Sequence, residues 1–318
     1  MGSPLPALAL NRLKLVAVFS AAALGCASSE GSALAPPPAP VASRPPPAPA
    51  RRLDLKTPAD NLQAFIKTRG SLDGSDVVYW WTGSIHSLVP GERGRELFQF
   101  EGFNIGRTVK TEGGWLFLSR EAAFYKSPET GEILSRWTNF DDKEVEVLHV
   151  WNDPVNSKWL LSSKSGDFGV PFDDVGDEVY FRVEVFLKYP SPLPRSRFPR
   201  YSQADDYQAA ELFQFFTRRR DLEDDSLATV PARLSWTRIG PFLPWMEMGD
   251  RPGQLVYHTY GKKLPGGYSE LPPRIRAEVE AKRPEYKTAP TEYKEPNQTT
   301  WRAFRSILQQ RGESPREP

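Results

Sequence analysis

The stretch from Val179 to Tyr189 largely alternates between apolar and polar side chains, and this pattern constrains the fold more than any other in the chain. Apolar residues occupy the odd positions from 179 to 187, whereas Tyr180, Arg182 and Glu184 lie between them. A period of two is typical of a strand with one buried face. Shorter apolar and aromatic runs, each bounded by Gly, Pro, Asn or Asp, predict further strands at 77–81, 96–100, 115–118, 145–150, 158–161, 212–216, 233–239 and 254–260.

Helix signals occur only near the two ends of this strand-rich region. The sequence at 57–60, Thr-Pro-Ala-Asp, combines an N-cap residue, a proline at the first helical position and an acid in the first turn, and Gly70 ends the predicted helix. Near the C-terminus, Pro272-Pro273 begins a second helix. A third helix carries Trp301, Phe304 and Leu308 on one face.

These signals predict a mainly β (α+β) protein: a strongly curved antiparallel sheet or a closed β-barrel, with one N-terminal and two C-terminal helices. We expect a single β-rich domain over residues 51–311 and a disordered tail over 312–318. Closure removes exposed strand edges, and a barrel of this size can hold one small ligand.

Composition excludes several classes of function. The chain has 41 Lys and Arg against 40 Asp and Glu, so it lacks the basic excess that holds a nucleic-acid backbone. A single cysteine excludes an internal disulfide framework and a thiolate metal cluster. The sequence also contains no nucleophile elbow, no P-loop and no dinucleotide-binding glycine loop, and we expect no cofactor.

Residues 1–25 have the features of a signal peptide. Arg12 and Lys14 precede an apolar run over 15–24 that is too short for a permanent membrane span. The run ends in Ala-Leu-Gly-Cys, which resembles a bacterial lipobox in which Cys26 becomes the lipidated first residue, although the usual leucine lies one place earlier. The alternative is a plain secretory signal cut after an Ala-x-Ala motif, with Cys26 removed or unused.

A proline- and alanine-rich segment follows over residues 26–50 and carries eight prolines. Such a segment is typical of an extended, semi-rigid tether. Together with Cys26 it predicts an exported protein of a Gram-negative bacterium, periplasmic or anchored to the outer membrane, whose membrane partner is reached through the lipid.

Candidate catalytic and binding residues cluster first at 149–156. His149 and Asp153 place an imidazole and a carboxylate at the end of a strand, and Asn152 and Asn156 add two amides. This combination suits acid–base chemistry or polar recognition. Because Asn-Asp-Pro is also typical turn chemistry, a structural role is the alternative.

The second candidate segment is 235–249, where two prolines between Trp236 and Trp245 interrupt any regular strand. Trp245 and Met246 are predicted either to cover a pocket or to complete the core, and Arg238 to contact an anion or a carbonyl in the pocket. The remaining candidate ligand-binding residues are Asn152, Asn156, Trp236, Tyr257 and His258.

Other charged and metal-ligating residues are interpreted as structural. Glu101 and Glu121 are isolated charges beside strands, an arrangement more typical of surface or ion-pair residues than of a catalytic carboxylate pair. The three histidines show no paired spacing, so no metal site is predicted.

Three hypotheses for function remain open. The first is a lipoprotein that binds an apolar small molecule in a central pocket. The second is a cofactor-independent isomerase, cyclase or lyase that uses His149, Asp153 and Arg238 around the same pocket. The third is a structural protein of the cell envelope.

A series of short motifs follows in one order along residues 60–305. The motifs are Tyr-Trp-Trp-Thr-Gly at 79–83, Phe-Gln-Phe-Glu-Gly-Phe-Asn at 98–104, Ser-Arg-Glu at 119–121, Thr-Gly-Glu at 130–132, Arg-Trp-Thr-Asn at 136–139, His-Val-Trp-Asn-Asp-Pro-Val-Asn at 149–156, Glu-Leu-Phe at 211–213, Ser-Trp-Thr-Arg at 235–238, Leu-Pro-Trp-Met at 243–246 and Thr-Trp at 300–301. Together they resemble the family called domain of unknown function 1838. The resemblance implies a β-rich domain in microbial, often exported, proteins. It implies no activity and no catalytic residues.

Overall fold

A computed structural model describes residues 52–313, which belong to one compact unit. Cys26, the signal peptide and the tether predicted before residue 51 lie outside the described residues, as does most of the predicted tail. None of the helices within 52–313 is long and apolar enough to cross a membrane.

The described residues form fourteen strands and four α-helices. The strands are β1 (Val77–Leu88), β2 (Arg95–Thr111), β3 (Gly114–Lys126), β4 (Arg136–Thr138), β5 (Glu144–Glu146), β6 (Val150–Asn152), β7 (Ser157–Leu160), β8 (Ser162–Ser163), β9 (Gly166–Asp167), β10 (Phe172–Val175), β11 (Glu178–Pro190), β12 (Asp206–Arg218), β13 (Arg233–Gly240) and β14 (Gln254–Leu264). The helices are α1 (Pro58–Arg69), α2 (Arg219–Leu222), α3 (Pro273–Lys282) and α4 (Thr300–Gln310), with 3-10 turns at Pro244–Met246, Gly267–Glu270 and Pro284–Lys287.

Ten of these strands form one antiparallel sheet in the order β10-β11-β12-β13-β14-β1-β2-β3-β6, and β7 pairs with the other end of β3. Within residues 52–313, no pairing joins β10 to β6 or β7. The predicted antiparallel, mainly β architecture is therefore confirmed, but the sheet is open, and the closed barrel offered as the alternative is not found.

The sheet curves strongly around its inner face. Leu187 on β11 and Glu121 on β3 are six strands apart in the sheet order, which corresponds to about 29 Å in a flat sheet. Both side chains nevertheless line a single cavity of about 350 Å³. The strands between them must therefore bend around that cavity.

Helices cover both faces of this sheet. On the outer face, Ile275 and Val279 of α3 pack against Phe103 and Phe124, which lie on β2 and β3. On the inner side, Phe65 of α1 lies against the ring of Phe181, with ring centroids 5.9 Å apart. Because β2 and β3 are covered on both faces, their sequences are apolar with little alternation.

The three predicted helices are found where the sequence places them. Thr57 caps α1 through its side chain, which accepts a hydrogen bond from the Asp60 backbone N–H, and Gly70 follows its last residue. In α4, Trp301, Phe304 and Leu308 are buried. The predicted strand over 145–150 differs, because residues 144–146 form β5 and a separate strand, β6, begins at Val150.

Glycines in the central strands let neighbouring backbones approach closely. Gly83 on β1 lies opposite Thr259 on β14, and a Cβ atom at position 83 would overlap the backbone carbonyl of His258. Gly113, in the turn between β2 and β3, has no atom within 4 Å of such a position.

We therefore expect Gly83→Ala to lower the free energy of unfolding by about 3 kcal/mol, because the backbones of β1 and β14 must move apart to admit the methyl group. Urea unfolding monitored by tryptophan fluorescence measures the change. Gly113→Ala is the matched control and should leave stability within about 0.5 kcal/mol of wild type. Equal stability of the two variants would contradict the close approach.

Candidate functional site

The cavity of about 350 Å³ lies on the concave face of the sheet. Residues 297–301, which lead into α4, and Arg69 at the end of α1 complete its wall. Eleven of the twenty-six lining residues are aromatic: Tyr79, Trp81, Phe100, Tyr125, Tyr189, Tyr207, Phe213, Phe215, Trp236, Tyr257 and Trp301. Such a lining offers flat apolar surfaces, with phenol and indole groups at their edges.

Four charged side chains share this aromatic cavity. Arg69 comes from α1, Glu121 from β3, Glu211 from β12 and Arg238 from β13. Glu211 and Arg238 lie directly opposite each other in the pairing of β12 with β13, and Arg238 Nε is 3.6 Å from Glu211 Oε1. Charged groups are costly to bury unless they are paired, so a set of four in an apolar cavity marks a candidate functional site.

Arg238 is only 6% exposed and its guanidinium is held from two sides. Its Nη2 donates to the hydroxyl of Tyr207 at 2.7 Å, and its Cζ lies 5.0 Å from the centre of the Tyr257 ring. Nη1 has no hydrogen-bond partner among the described residues. Arg238 therefore keeps one unpartnered donor on a guanidinium that is held in place.

Arg69 enters the cavity from the last turn of α1. Its Nη2 donates to Asn104 Oδ1 at 2.8 Å, and its Cζ lies 4.3 Å from the centre of the Phe117 ring. Nη1 again has no partner among residues 52–313. The end of α1 is held in place by Tyr79, whose hydroxyl donates to the Thr68 carbonyl at 2.5 Å.

Glu121 is the carboxyl group whose proton affinity the cavity changes most clearly. Burial, together with the negative charge of Glu211, raises the pKa of Glu121 to about 7, against the opposing effects of Arg69 and a hydrogen bond with Asn152. Burial also raises the pKa of Glu211, although Arg238 opposes the shift. A carboxyl that titrates near neutral pH can accept or release a proton during binding or reaction.

Two tyrosines extend the polar network. Tyr125 and Tyr257 both line the cavity, and both are buried. Burial raises the pKa of each phenol, so both remain protonated at neutral pH.

Four of the residues predicted from sequence meet in this cavity: Asn152, Trp236, Arg238 and Tyr257. Asn152 lies opposite Glu121 in the pairing of β3 with β6.

His149 and Asp153 lie outside the cavity lining. The imidazole of His149 stacks on the Tyr125 ring at 6.0 Å, and its Nδ1 accepts a hydrogen bond from the Tyr125 backbone N–H. Burial, with a smaller effect of Lys282, lowers the pKa of His149 to about 4. Asp153 forms an ion pair with Arg120, whose Nε is 3.3 Å from Asp153 Oδ2. The three candidate catalytic residues are therefore not brought together.

The other four candidate ligand-binding residues also lie outside the lining. Asn156 binds the chain around it: its Oδ1 accepts from the Ser119 backbone N–H at 2.9 Å and its Nδ2 donates to the Lys294 carbonyl. Trp245 and Met246 are buried in the core that packs around Phe98, and His258 is exposed to solvent.

Sequence reasoning missed Arg69, Glu121 and Glu211. Glu121 was interpreted as a surface or ion-pair residue, but it lines the cavity. Its strand is apolar on both faces, so alternation does not show which side a charge takes. The sequence does offer one signal for a cavity residue, which is a carboxylate within an otherwise apolar strand. Both Glu121 and Glu211 show this signal.

Within residues 52–313, no group of three or more His, Cys, Asp and Glu side chains is arranged to hold a metal ion. The chemistry that the site offers comes from its carboxyl, guanidinium, phenol and indole groups.

Comparison with known proteins identifies one relationship. A family model described as "Protein of unknown function (DUF1838)" matches residues 74–308. A search of curated proteins found no match.

The raised pKa of Glu121 predicts how stability depends on pH. The folded chain holds this proton up to about pH 7, whereas an unfolded glutamate releases it near its ordinary pKa of about 4.3. The carboxyl therefore makes the free energy of unfolding fall as pH rises between these values, by roughly 3–4 kcal/mol, with no further change above the folded pKa.

Glu121→Gln should remove this fall, so the variant gains stability over wild type as pH increases. Urea unfolding at several pH values measures the difference. Glu144→Gln, on an exposed ion pair with Arg136, is the control and should follow the wild-type curve. A constant difference between Glu121→Gln and wild type would show that Glu121 has an ordinary pKa.

Proposed function

We propose that this protein, which belongs to the DUF1838 family, binds a small molecule in the cavity on the concave face of its sheet. The ligand has an aromatic or apolar body, which lies against the aromatic lining, and at least one polar group, which reaches the buried charged side chains.

The cavity itself is the observation that carries this proposal. Its volume of about 350 Å³ lies within the range of about 300–1,000 Å³ that small-molecule sites occupy. Apolar walls with a few convergent polar groups are the usual composition of such sites. The indole N–H groups of Trp81 and Trp236 are buried without a hydrogen-bond partner among the described residues. A ligand that carries oxygen atoms supplies acceptors for such donors.

This proposal changes the ligand expected from sequence. An entirely apolar molecule would leave Arg69, Glu121, Glu211 and Arg238 without polar partners on the cavity side, which costs free energy. An amphipathic molecule satisfies both parts of the lining.

Export and lipid anchoring at Cys26 remain part of the proposal and are supported by the sequence of residues 1–26 alone. In this arrangement the proline-rich segment 26–50 would hold the binding domain away from the membrane surface.

If a ligand binds in this cavity, a larger side chain in the cavity wall should weaken its binding. Naphthalene-2-carboxamide, a neutral aromatic amide, should bind to the wild-type protein in isothermal titration calorimetry. Leu187→Trp fills part of the cavity and should weaken this binding at least about tenfold, because the ring of the probe loses its space.

Leu88→Trp is the matched control, since Leu88 is 53% exposed at the end of β1, outside the cavity. It should bind the amide as wild type does. A wild-type protein that binds no probe, or a Leu187→Trp variant with unchanged affinity, would contradict binding in this cavity.

Acid–base catalysis is the second candidate function, and the pKa of Glu121 near 7 is the observation that favours it. A general base works best when its pKa lies close to the operating pH. Because His149 and Asp153 lie outside the lining, we assign this role to Glu121, with Arg238 and the Tyr125–Tyr257 pair available to stabilise negative charge on the substrate.

A generic substrate for proton abstraction tests this candidate. A base removes the ring C–H proton of 5-nitrobenzisoxazole, the C–H electrons form the nitrile, and the N–O bond breaks to release a phenolate. We expect kcat/KM to rise with pH and to level off above about pH 7, because only the ionised Glu121 accepts the proton. Glu121→Gln should lower kcat/KM by about a hundredfold or more.

Glu144→Gln should leave this rate unchanged. A rate that survives in Glu121→Gln would show that Glu121 is not a catalytic base, while leaving ligand binding in the cavity intact.

A further inference from the structure

We propose that the cavity contains a subsite for a carboxylate, formed by Arg238 together with the first turn of α4, and that the ligand is a small organic acid with an aromatic body. This inference rests on the proposed ligand-binding function and adds the chemical class of the ligand.

Arg238 supplies the cationic side of the subsite. Its side chain is only 8% exposed, and its Nη2 is already bonded to Tyr207. The free Nη1 therefore remains on a guanidinium that cannot easily turn away. A planar guanidinium with a fixed donor matches the geometry of a carboxylate.

The N-terminus of α4 supplies a second set of donors. Thr299 caps this eleven-residue helix: its hydroxyl accepts from the Arg302 backbone N–H and its carbonyl from the Ala303 N–H. The amides of Thr300 and Trp301 precede these and have no acceptor within the helix. Both residues line the cavity, so the positive end of the helix dipole lies at its wall.

The side chain of Trp301 connects Arg238 with the first turn of α4. The Cζ atom of Arg238 is 5.9 Å from the centre of the Trp301 ring. The ring of Tyr207, whose hydroxyl accepts from Arg238, is 4.8 Å from the same Trp301 ring. Arg238 and the first turn of α4 therefore border the same part of the cavity, and the proposed carboxylate lies between them.

The charges around this position favour an added anion at mildly acid pH. Arg69 and Arg238 carry two positive charges, and Glu211 is paired with Arg238. Glu121, which faces Glu211, Arg69, Arg238, Asn152 and Tyr125, is largely neutral below its pKa of about 7. At about pH 6 the four charged groups of the cavity thus carry a net positive charge, because the pKa values of both carboxyl groups are raised.

The experiment compares naphthalene-2-carboxylate with its neutral isostere naphthalene-2-carboxamide by isothermal titration calorimetry at about pH 6. The two probes share one aromatic body, so their difference reports the carboxylate contact alone. Wild type should bind the carboxylate about tenfold more tightly than the amide or better.

Removal of the guanidinium tests the role of Arg238. In the double variant Arg238→Gln, Glu211→Gln both members of the ion pair become neutral, so no unpaired carboxylate is left in the cavity. We expect this double variant to lose the roughly tenfold preference for the carboxylate over the amide, because the carboxylate loses its cationic partner and the amide loses only a neutral contact. Arg233→Gln, on the exposed side of β13 and paired with Glu178, is the matched control and should bind both probes as wild type does.

Thr300→Pro tests whether the first backbone amide of α4 contributes to carboxylate binding. Proline is well tolerated at the first helical position, where it removes the amide N–H, and Thr299 already has the extended backbone (φ −139°, ψ 158°) that precedes a proline. Thr300→Pro should weaken the carboxylate about three- to tenfold and leave α4 folded. Thr300→Val keeps the amide N–H, so the loss of carboxylate affinity in Thr300→Pro should exceed any loss in Thr300→Val.

The outcomes of these experiments distinguish a failure of the carboxylate subsite from a failure of ligand binding in the cavity. Equal affinity of wild type for the two probes, or carboxylate binding that survives both the double variant and Thr300→Pro, would overturn the carboxylate subsite and leave ligand binding standing. A wild-type protein that binds neither probe would overturn both.

Discussion

The ammonium group of Lys263 connects the middle of the sheet to the end of α1, and the geometry of the cavity depends on this connection. Lys263 lies on β14 and is 7% exposed, and its three donors reach the carbonyls of Lys67 and Gly70 and the hydroxyl of Thr229. These donors thus lie against the last carbonyls of α1, the negative end of the helix dipole, which compensates for the burial that lowers the pKa of Lys263. Because Arg69 is in that last turn, the contact also determines where its guanidinium enters the cavity.

The same connection explains why a curved sheet without a closing strand pair can still enclose a cavity. Phe65 of α1 packs between the rings of Phe181 and Phe215, on β11 and β12, while Lys263 holds the helix to β14. On the other side, Trp301 of α4 packs on Tyr207. The helices complete the wall, and the sheet edges at β10 and at β6 and β7 need not meet.

Much of the fold follows from local sequence, whereas the site depends on which face of a strand is turned inward. Helix α1 is predicted by its cap and proline, and β11 by its alternation, because both signals are local. The segment 149–156 that the sequence singles out borders the cavity, yet Asn152 lines the cavity and Asp153, one residue later, pairs with Arg120. A shift of one residue reverses the face. Since β3 is apolar on both faces, no pattern in the sequence assigns Glu121 to the inside.

The residues of the candidate site extend beyond the region that the family model matches. Glu121, Glu211, Arg238 and Thr300 all lie within the matched residues 74–308. Arg69 and the whole of α1 precede that region, yet Arg69 lowers the pKa of Glu121 against the effect of burial. Phe65 also fills the core beside β11 and β12. The unit that forms the cavity therefore starts before the matched region, and the proton affinity of Glu121 depends on a residue contributed by that preceding helix.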